Sequence, residues 1–408
     1  MSAEGGWRRE EIGYCSNVHP GEGLDEVLGI IERGVGAVRA ARGLTRMRAG
    51  LWLSHAAVEA LAETGARSRF RARLDGQGIR LHTLNAFPYG DFHAESVKEA
   101  AFLPDWSDER RLRYTLAAAE TLAECLPLDA DEGTISTVPL GLRAAWSGEK
   151  ENAALGHLLT LAQALDEILE RTGRAVRVCL EPEPGGALER TDQAIAFFDR
   201  WLLPAADALR VPRDVVRRHL GICYDVCHQA VMFEDAARSL ARLLDAGVPV
   251  GKIQISSALE APDAGAVRAL ADYAEPRYLH QVRVPGRERL YGAPDLPLAL
   301  ADARLPDDRP WRAHFHVPVN AERFEHGLKS TQGEVLKVLD FLAAHRTFRP
   351  HLEVETYTWQ VLPEHRRPRD ERALAQGIVS EIEWVEAEMR KRNLLAIETA
   401  RTDTVAVE

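Results

Sequence analysis

Residues 176–185, VRVCLEPEPG, and residues 221–228, GICYDVCH, decide the fold. In the first, Val176, Val178 and Leu180 fall in one alternation phase, and Cys179 and Glu181 in the other. In the second, Ile222 and Tyr224 oppose Cys223 and Asp225, with His228 just beyond. A strand points successive side chains to opposite faces, so this pattern needs helices on one side and something polar on the other. Working outward, KIQISS (252–257) opposes Ile253 and Ile255 to Gln254 and Ser256, and HLEVET (351–356) opposes Leu352 and Val354 to Glu353 and Glu355. HFHVPV (314–319) sets Phe315 and Val317 against His314 and His316, and IGYCSNVH (12–19) sets Asn17 and His19 against Ser16 and Val18. Each run carries a potential metal ligand near its C-terminal end, which is where the mouth of a parallel barrel builds its site.

Short strand-like runs begin at Ile12, Ala49, Ile79, Thr134, Val176, Leu220, Lys252 and Leu352, with HFHVPV as one to spare. Amphipathic helical patterns lie between them, at 24–41, 109–125, 151–172, 190–208, 230–246 and 332–345. Such alternation makes βαβ units and a parallel sheet. The expected fold is therefore an α/β protein of the (β/α)8 barrel type, one unit over 1–398 with a tail at 399–408. A Pro- and Asp-rich stretch at about 258–311 reads as an insertion after the seventh strand, in which YLHQVRV and GRERLY suit a hairpin. The loop 86–107, with FPYGDFH and FLPDW, suits a wall or lid of the substrate pocket. The helix expected at 371–394 closes the barrel.

The 408 residues include 46 % hydrophobic and 28 % charged side chains, the balance of an ordinary globular protein. A net charge of -11 with no basic patch argues against a nucleic-acid partner. The five cysteines are odd in number and three sit in strand-like runs, which suits buried free thiols in a reducing compartment. No signal-like h-region and no membrane-length apolar run is present, so a cytoplasmic location is expected. Rossmann, Walker, GxSxG and CxxC motifs are absent.

The chemistry-bearing residues each have a plainer reading beside the functional one. Glu181 ends its strand before Pro182, and a carboxylate there either serves a site or caps a helix or pairs with arginine. Asp225 and His228, three apart at a strand end, suit Mn, Zn, Co or Mg, although an Asp there also serves as a helix N-cap. His314 and His316 share a face, as do Glu353 and Glu355; two inward carboxylates so close need a cation or a proton. Glu355 is the better ligand, and Glu353 is open to pairing with an arginine inside the barrel. Gln254 can offer an amide oxygen to a hard cation or bind a substrate hydroxyl. His280 and Gln281 are unplaced because their strand is.

These residues in this order resemble the xylose-isomerase-like TIM barrels, which include sugar isomerases, epimerases, dehydratases and endonucleases. Leu180–Glu181 matches the LE ending the fifth strand, Asp225 with His228 the Asp-x-x-His after the sixth, and Glu355–Thr356 the glutamate ending the eighth. Gln254 departs from the histidine usual on the seventh. Through YCSNVHPGE, LHTLNAFPYG, LEPEPG and LEVETYTW the chain looks closest to the EboE-type family, associated with metabolite traffic. The resemblance implies a divalent ion held by Glu181, Asp225, Gln254 and Glu355. It also implies Glu181, Glu355 and His228 as catalytic groups, and Asn17, His19, His280, His314 and His316 on the substrate. The reaction implied is isomerisation or epimerisation of a sugar-like polyol or cyclitol by proton transfer, within a pathway that supplies other protein partners. The alternatives are a non-catalytic metabolite carrier or scaffold, prompted by Gln254, and a metal-dependent dehydratase, lyase or phosphoesterase.

Overall fold

The computed structural model describes residues 6–396. Seven strands come first in the chain: β1 (Gly13–Tyr14), β2 (Met47–Trp52), β3 (Ile79–Asn85), β4 (Glu132–Thr137), β5 (Ala175–Leu180), β6 (Leu220–Asp225) and β7 (Val250–Ile255). A second group follows: β8 (Leu259–Ala261), β9 (Val282–Pro285), β10 (Leu290–Ala293), β11 (Trp311–Ala313) and β12 (Lys329–Ser330). The last strand is β13 (His351–Val354). Strands β1 to β7 and β13 form one parallel sheet in the order β1-β13-β7-β6-β5-β4-β3-β2. A parallel bridge between Cys15 and Gly50 joins its two ends, so the sheet comes round on itself as a (β/α)8 barrel. The expected strand starts all fall within three residues of the observed ones.

The helices pack outside, as their sequence stripes require. Residues 24–41 are helical throughout and bury Val27, Ile31, Val35 and Val38. Helix Glu109–Cys125 starts on an Asp108 cap and helix Gly148–Thr172 on a Ser147 cap; each supplies an acceptor for an otherwise unpaired N–H. The C-terminal helix Glu371–Lys391 lies after β13 and is tied to residue 42 by the buried Arg42–Glu386 pair at 2.6 Å, which completes the ring. The tail expected at 399–408 lies outside the described residues.

Gly50 is glycine for a local reason. The side chain of Glu353 crosses its Cα, and a Cβ there would overlap the Glu353 carboxyl and the Thr83 hydroxyl. Glu353 pairs with a lysine: Lys252 reaches it at 2.5 Å and Thr83 Oγ1 donates to it at 3.2 Å, inside the barrel.

One expected strand is cut short and another is not a strand. IGYCSNVH leaves the sheet after Tyr14 and Cys15 and turns through a 3-10 segment, Ser16–Val18. Ser16 Oγ accepts the Trp52 amide at 3.0 Å, taking the position of a ladder bond. HFHVPV runs irregularly from β11: the amide of His314 bonds Gln281 O, Val317 bonds Ser257 O, and Pro318 has no N–H to give. The inserted strands form an antiparallel sheet, β10-β9-β11-β8-β12, in which β9 and β10 are the expected hairpin. This sheet reaches Ser330, past the expected boundary at 311. Its apolar side shares a second core with Phe92 and Val97 of the 86–107 loop.

Candidate active site

The carboxylates converge at the C-terminal ends of their strands. Glu181 follows β5, Asp225 ends β6 and Glu355 follows β13; all three are buried, and a ligand atom of each lies within 4.8 Å of the others. Asp225 meets both of its readings, since its Oδ1 also caps helix Val226–Val231 by accepting the His228 amide at 2.9 Å. Burial, then the charge of Asp225, pushes the Glu181 carboxyl up to about 8. Burial, then Glu181, raises Glu355 as well. Glu181 Oε2 has no hydrogen-bond partner among the described residues. Three buried acids with an unpartnered oxygen fit a divalent cation, which removes the repulsion that otherwise has to be removed by protons.

Gln254 lies in β7 beneath them, but turned the other way from a ligand. Its amide nitrogen stands 2.9 Å from Asp225 Oδ2, 3.1 Å from Glu181 Oε1 and against Glu355 Oε2, three acceptors for two N–H bonds, while its oxygen accepts from Cys223 Sγ at 2.9 Å. The Gln254 Nε2 thus stands where positive charge is wanted, and the amide must rotate about its last bond before its oxygen can coordinate.

A second convergence is made of imidazoles. His228 Nε2 is 3.0 Å from His314 Nε2 and 3.4 Å from His316 Nε2. The carbonyl of Glu355 takes the His316 Nδ1 proton at 2.9 Å, and Gln281 Oε1 takes that of His314 at 2.6 Å. The lone pairs of both Nε2 atoms therefore face His228. Burial holds His314 and His316 near 3 and 4, and His228 well below its usual range, so all three are neutral. Two nitrogens on one tetrahedral zinc ion stand ~3.3 Å apart, from Zn–N bonds of 2.0–2.1 Å. The trio can accordingly ligate an ion or orient substrate hydroxyls. Asp225 with His228 and His316, and Cys227 with His314 and His316, also bring ligand atoms within 4.8 Å.

The structure brings Asn17, His228, His314 and His316 to this centre and leaves His19 and His280 outside it. Asn17 Nδ2 donates to Glu355 Oε1 at 2.8 Å. His19 sits behind the turn, paired with the Tyr14 hydroxyl at 2.8 Å. His280 is one layer back, its Nδ1 on His314 O and its Nε2 on Glu275. Other groups join without having been singled out. Asn85 Nδ2 donates to Glu355 at 3.1 Å, and Glu183 accepts from Gln281 at 3.0 Å beside His314. Asn85 shares an alternation phase with Ile79 and Leu81, which masks it, whereas Glu183 stood in view in LEPEPG. A cavity opens from Glu181, Glu355 and His228 toward the 86–107 loop.

All five cysteines are free and buried. Among the described residues no helix is long and apolar enough to cross a membrane.

No family model matches the chain, and no curated protein matches it. Solved structures similar to it include a xylose isomerase domain protein from Planctomyces limnophilus, at 14 % identity over 96 % of this chain and 99 % of that one, TM-score 0.49. A D-allulose 3-epimerase from Methylomonas sp. is similar at 12 % identity over 93 % and 98 %, TM-score 0.47. The probable 3-DHS dehydratase involved in petrobactin synthesis from Bacillus anthracis is similar at 11 % identity over 92 % and 98 %, TM-score 0.45. At these scores the barrel stands on its own strand order, and activity has to be read from the side chains.

Proposed function

We propose that this chain is a divalent-metal-dependent isomerase or epimerase acting on a polyol, keto-sugar or cyclitol by proton transfer. The observation that carries the reading is the convergence of Glu181, Asp225 and Glu355, buried together with an unpartnered oxygen on Glu181. A bound ion supplies Lewis-acid polarisation of a carbonyl and its neighbouring hydroxyl. One of Glu181 and Glu355 takes the proton from the carbon beside the carbonyl; returned to the neighbouring carbon it gives the isomer, and a proton delivered by the other carboxyl to the opposite face gives the epimer. The neutral imidazoles of His228, His314 and His316 hold substrate oxygens, and Asn17 and Asn85 hold Glu355 in place. Placement in a metabolite-traffic pathway is proposed on the sequence motifs alone.

The second reading, a binding protein without turnover, is favoured by the Gln254 amide, whose nitrogen already stands among the three acids. Metal analysis separates the two. Wild type should carry about one divalent ion per chain, or two if the histidines also ligate, and Asp225→Ala should lose it while keeping its circular dichroism. Loaded wild type in deuterated water should move solvent deuterium into a keto-polyol, and Glu355→Gln should not. A wild type that takes up no Mn, Co or Zn sinks the enzyme reading.

A further inference from the structure

The cavity over the carboxylates has two chemically different ends. Its inner end holds Glu181, Glu183, Glu355, His228 and His314, with the Tyr357 hydroxyl 3.5 Å from His314 Nε2; Phe87, Pro88, Val97, Ala101, Phe102 and Leu279 form an outer wall without hydrogen-bonding side chains, and Tyr278, packed against Phe92 and Tyr357, lies between the two. Part of the main chain of that wall is also spent. Phe87 N–H goes to Asn85 Oδ1 at 2.9 Å, Val97 N–H to Arg277 O at 2.7 Å, and Pro88 O accepts from Trp52 Nε1 and the Tyr114 hydroxyl. One cation lines the cavity, Lys98, and its ammonium is used up. Nζ donates to Tyr278 O at 2.6 Å, Asp295 Oδ2 at 2.8 Å and Glu275 O at 3.1 Å, which accounts for its three protons.

From this we infer that the substrate is uncharged and amphiphilic: a polyol or keto-polyol head at the carboxylates, an aryl or alkyl substituent on the outer wall, and no phosphate. The head group rests on the function proposed above; the substituent and the absence of phosphate rest on the wall. A hydroxyl set against the wall would lose its water and gain no partner, costing about tenfold in affinity or more. A phosphate would meet three carboxyl side chains, neutral imidazoles and an ammonium already spent. An apolar group meets packed rings: Phe87 and Phe102 stand edge to face at 5.4 Å, and Phe92 leads through Tyr357 to His316.

Calorimetric titration of the Mn-loaded full chain with myo-inositol and D-fructose, and with the mono-O-benzyl ether and the monophosphate of each, tests the inference. The benzyl ethers should bind about tenfold tighter than their parents or better, and the phosphates more weakly than the parents. Phe102→Ala and the smaller change Ala101→Ser should each shrink the benzyl-to-parent ratio, with folding checked by circular dichroism. Equal affinity for parents and benzyl ethers, or tighter binding of a phosphate, overturns it. Benzyl alcohol and Glu355→Gln keep the two readings apart. A benzyl preference that survives Glu355→Gln and metal removal leaves the wall assignment standing and the metal-centred head assignment lost.

Discussion

At the scale of single residues the centre turns on who neutralises Glu181, Asp225 and Glu355. Gln254→Leu removes the donors that now face them, so the metal-free protein should lose about 1–3 kcal/mol in urea unfolding, while metal affinity stays within about threefold. A loss of affinity beyond tenfold would show that the amide rotates and coordinates through oxygen. The pH behaviour follows from Glu181, whose folded carboxyl sits at about 8 against an ordinary value of 4.5. A carboxyl raised on folding weakens the metal-free fold as pH climbs from about 4.5 to 8, because only the unfolded chain ionises freely there. A cation displaces that proton, so apparent metal affinity should rise between pH 6 and 8 and flatten above; a level profile in competition titrations contradicts the assignment. Glu181, Asp225 and Glu355 were legible in the sequence because a polar phase ending at a strand tip has few other uses. His19 was not legible, because one serine side chain turning the chain at Ser16 leaves no mark on a period-two pattern.

Elements were legible where burial imposes a period. The eight barrel strands and the helices at 109–125 and 332–344 follow their apolar stripes. HFHVPV has the right alternation without the structure, since its amides are taken by Gln281 and Ser257 rather than by a neighbouring strand. Alternation reports which residues face a polar centre and says nothing about ladder pairing. The closing helix is tied to the barrel by the buried Glu381, which accepts from Val319 N, Thr356 Oγ1 and Trp359 Nε1, and by a buried pair: Glu386 Oε1 bonds Arg42 Nη2 at 2.6 Å, while Arg42 also holds the carbonyls of Ile12 and Arg9 at 2.7 Å each. Glu386→Ala leaves a buried guanidinium without its carboxylate and should cost about 3–5 kcal/mol in urea unfolding. A change under about 1 kcal/mol would mean that the apolar stripe and Glu381 hold the helix without this pair.

For the whole molecule, what the sequence hid is which distant segments meet. The 86–107 loop and the insertion after β7 join over the barrel mouth through Lys98 and Tyr278, 180 residues apart, and no local pattern encodes that contact. A cation that binds only the closed barrel should raise the melting temperature, by the equivalent of about 2.7 kcal/mol at a hundredfold excess over its dissociation constant. Differential scanning fluorimetry with and without Mn or Zn, on wild type and Asp225→Ala, reads this directly; an equal shift in both would place the ion elsewhere.

The first strand pairs with the last, Gly13 opposite Glu353, and Glu355 lies just beyond that pairing. Barrel closure therefore waits for nearly the whole chain to be synthesised, and long-range pairings of this kind form slowly. A chain halted before Glu355 would already hold Glu181 and Asp225 but lack their third acid, and would expose β1 as an open edge available to another copy. Competence to bind the ion and protection from aggregation would thus be acquired together, at the end of folding.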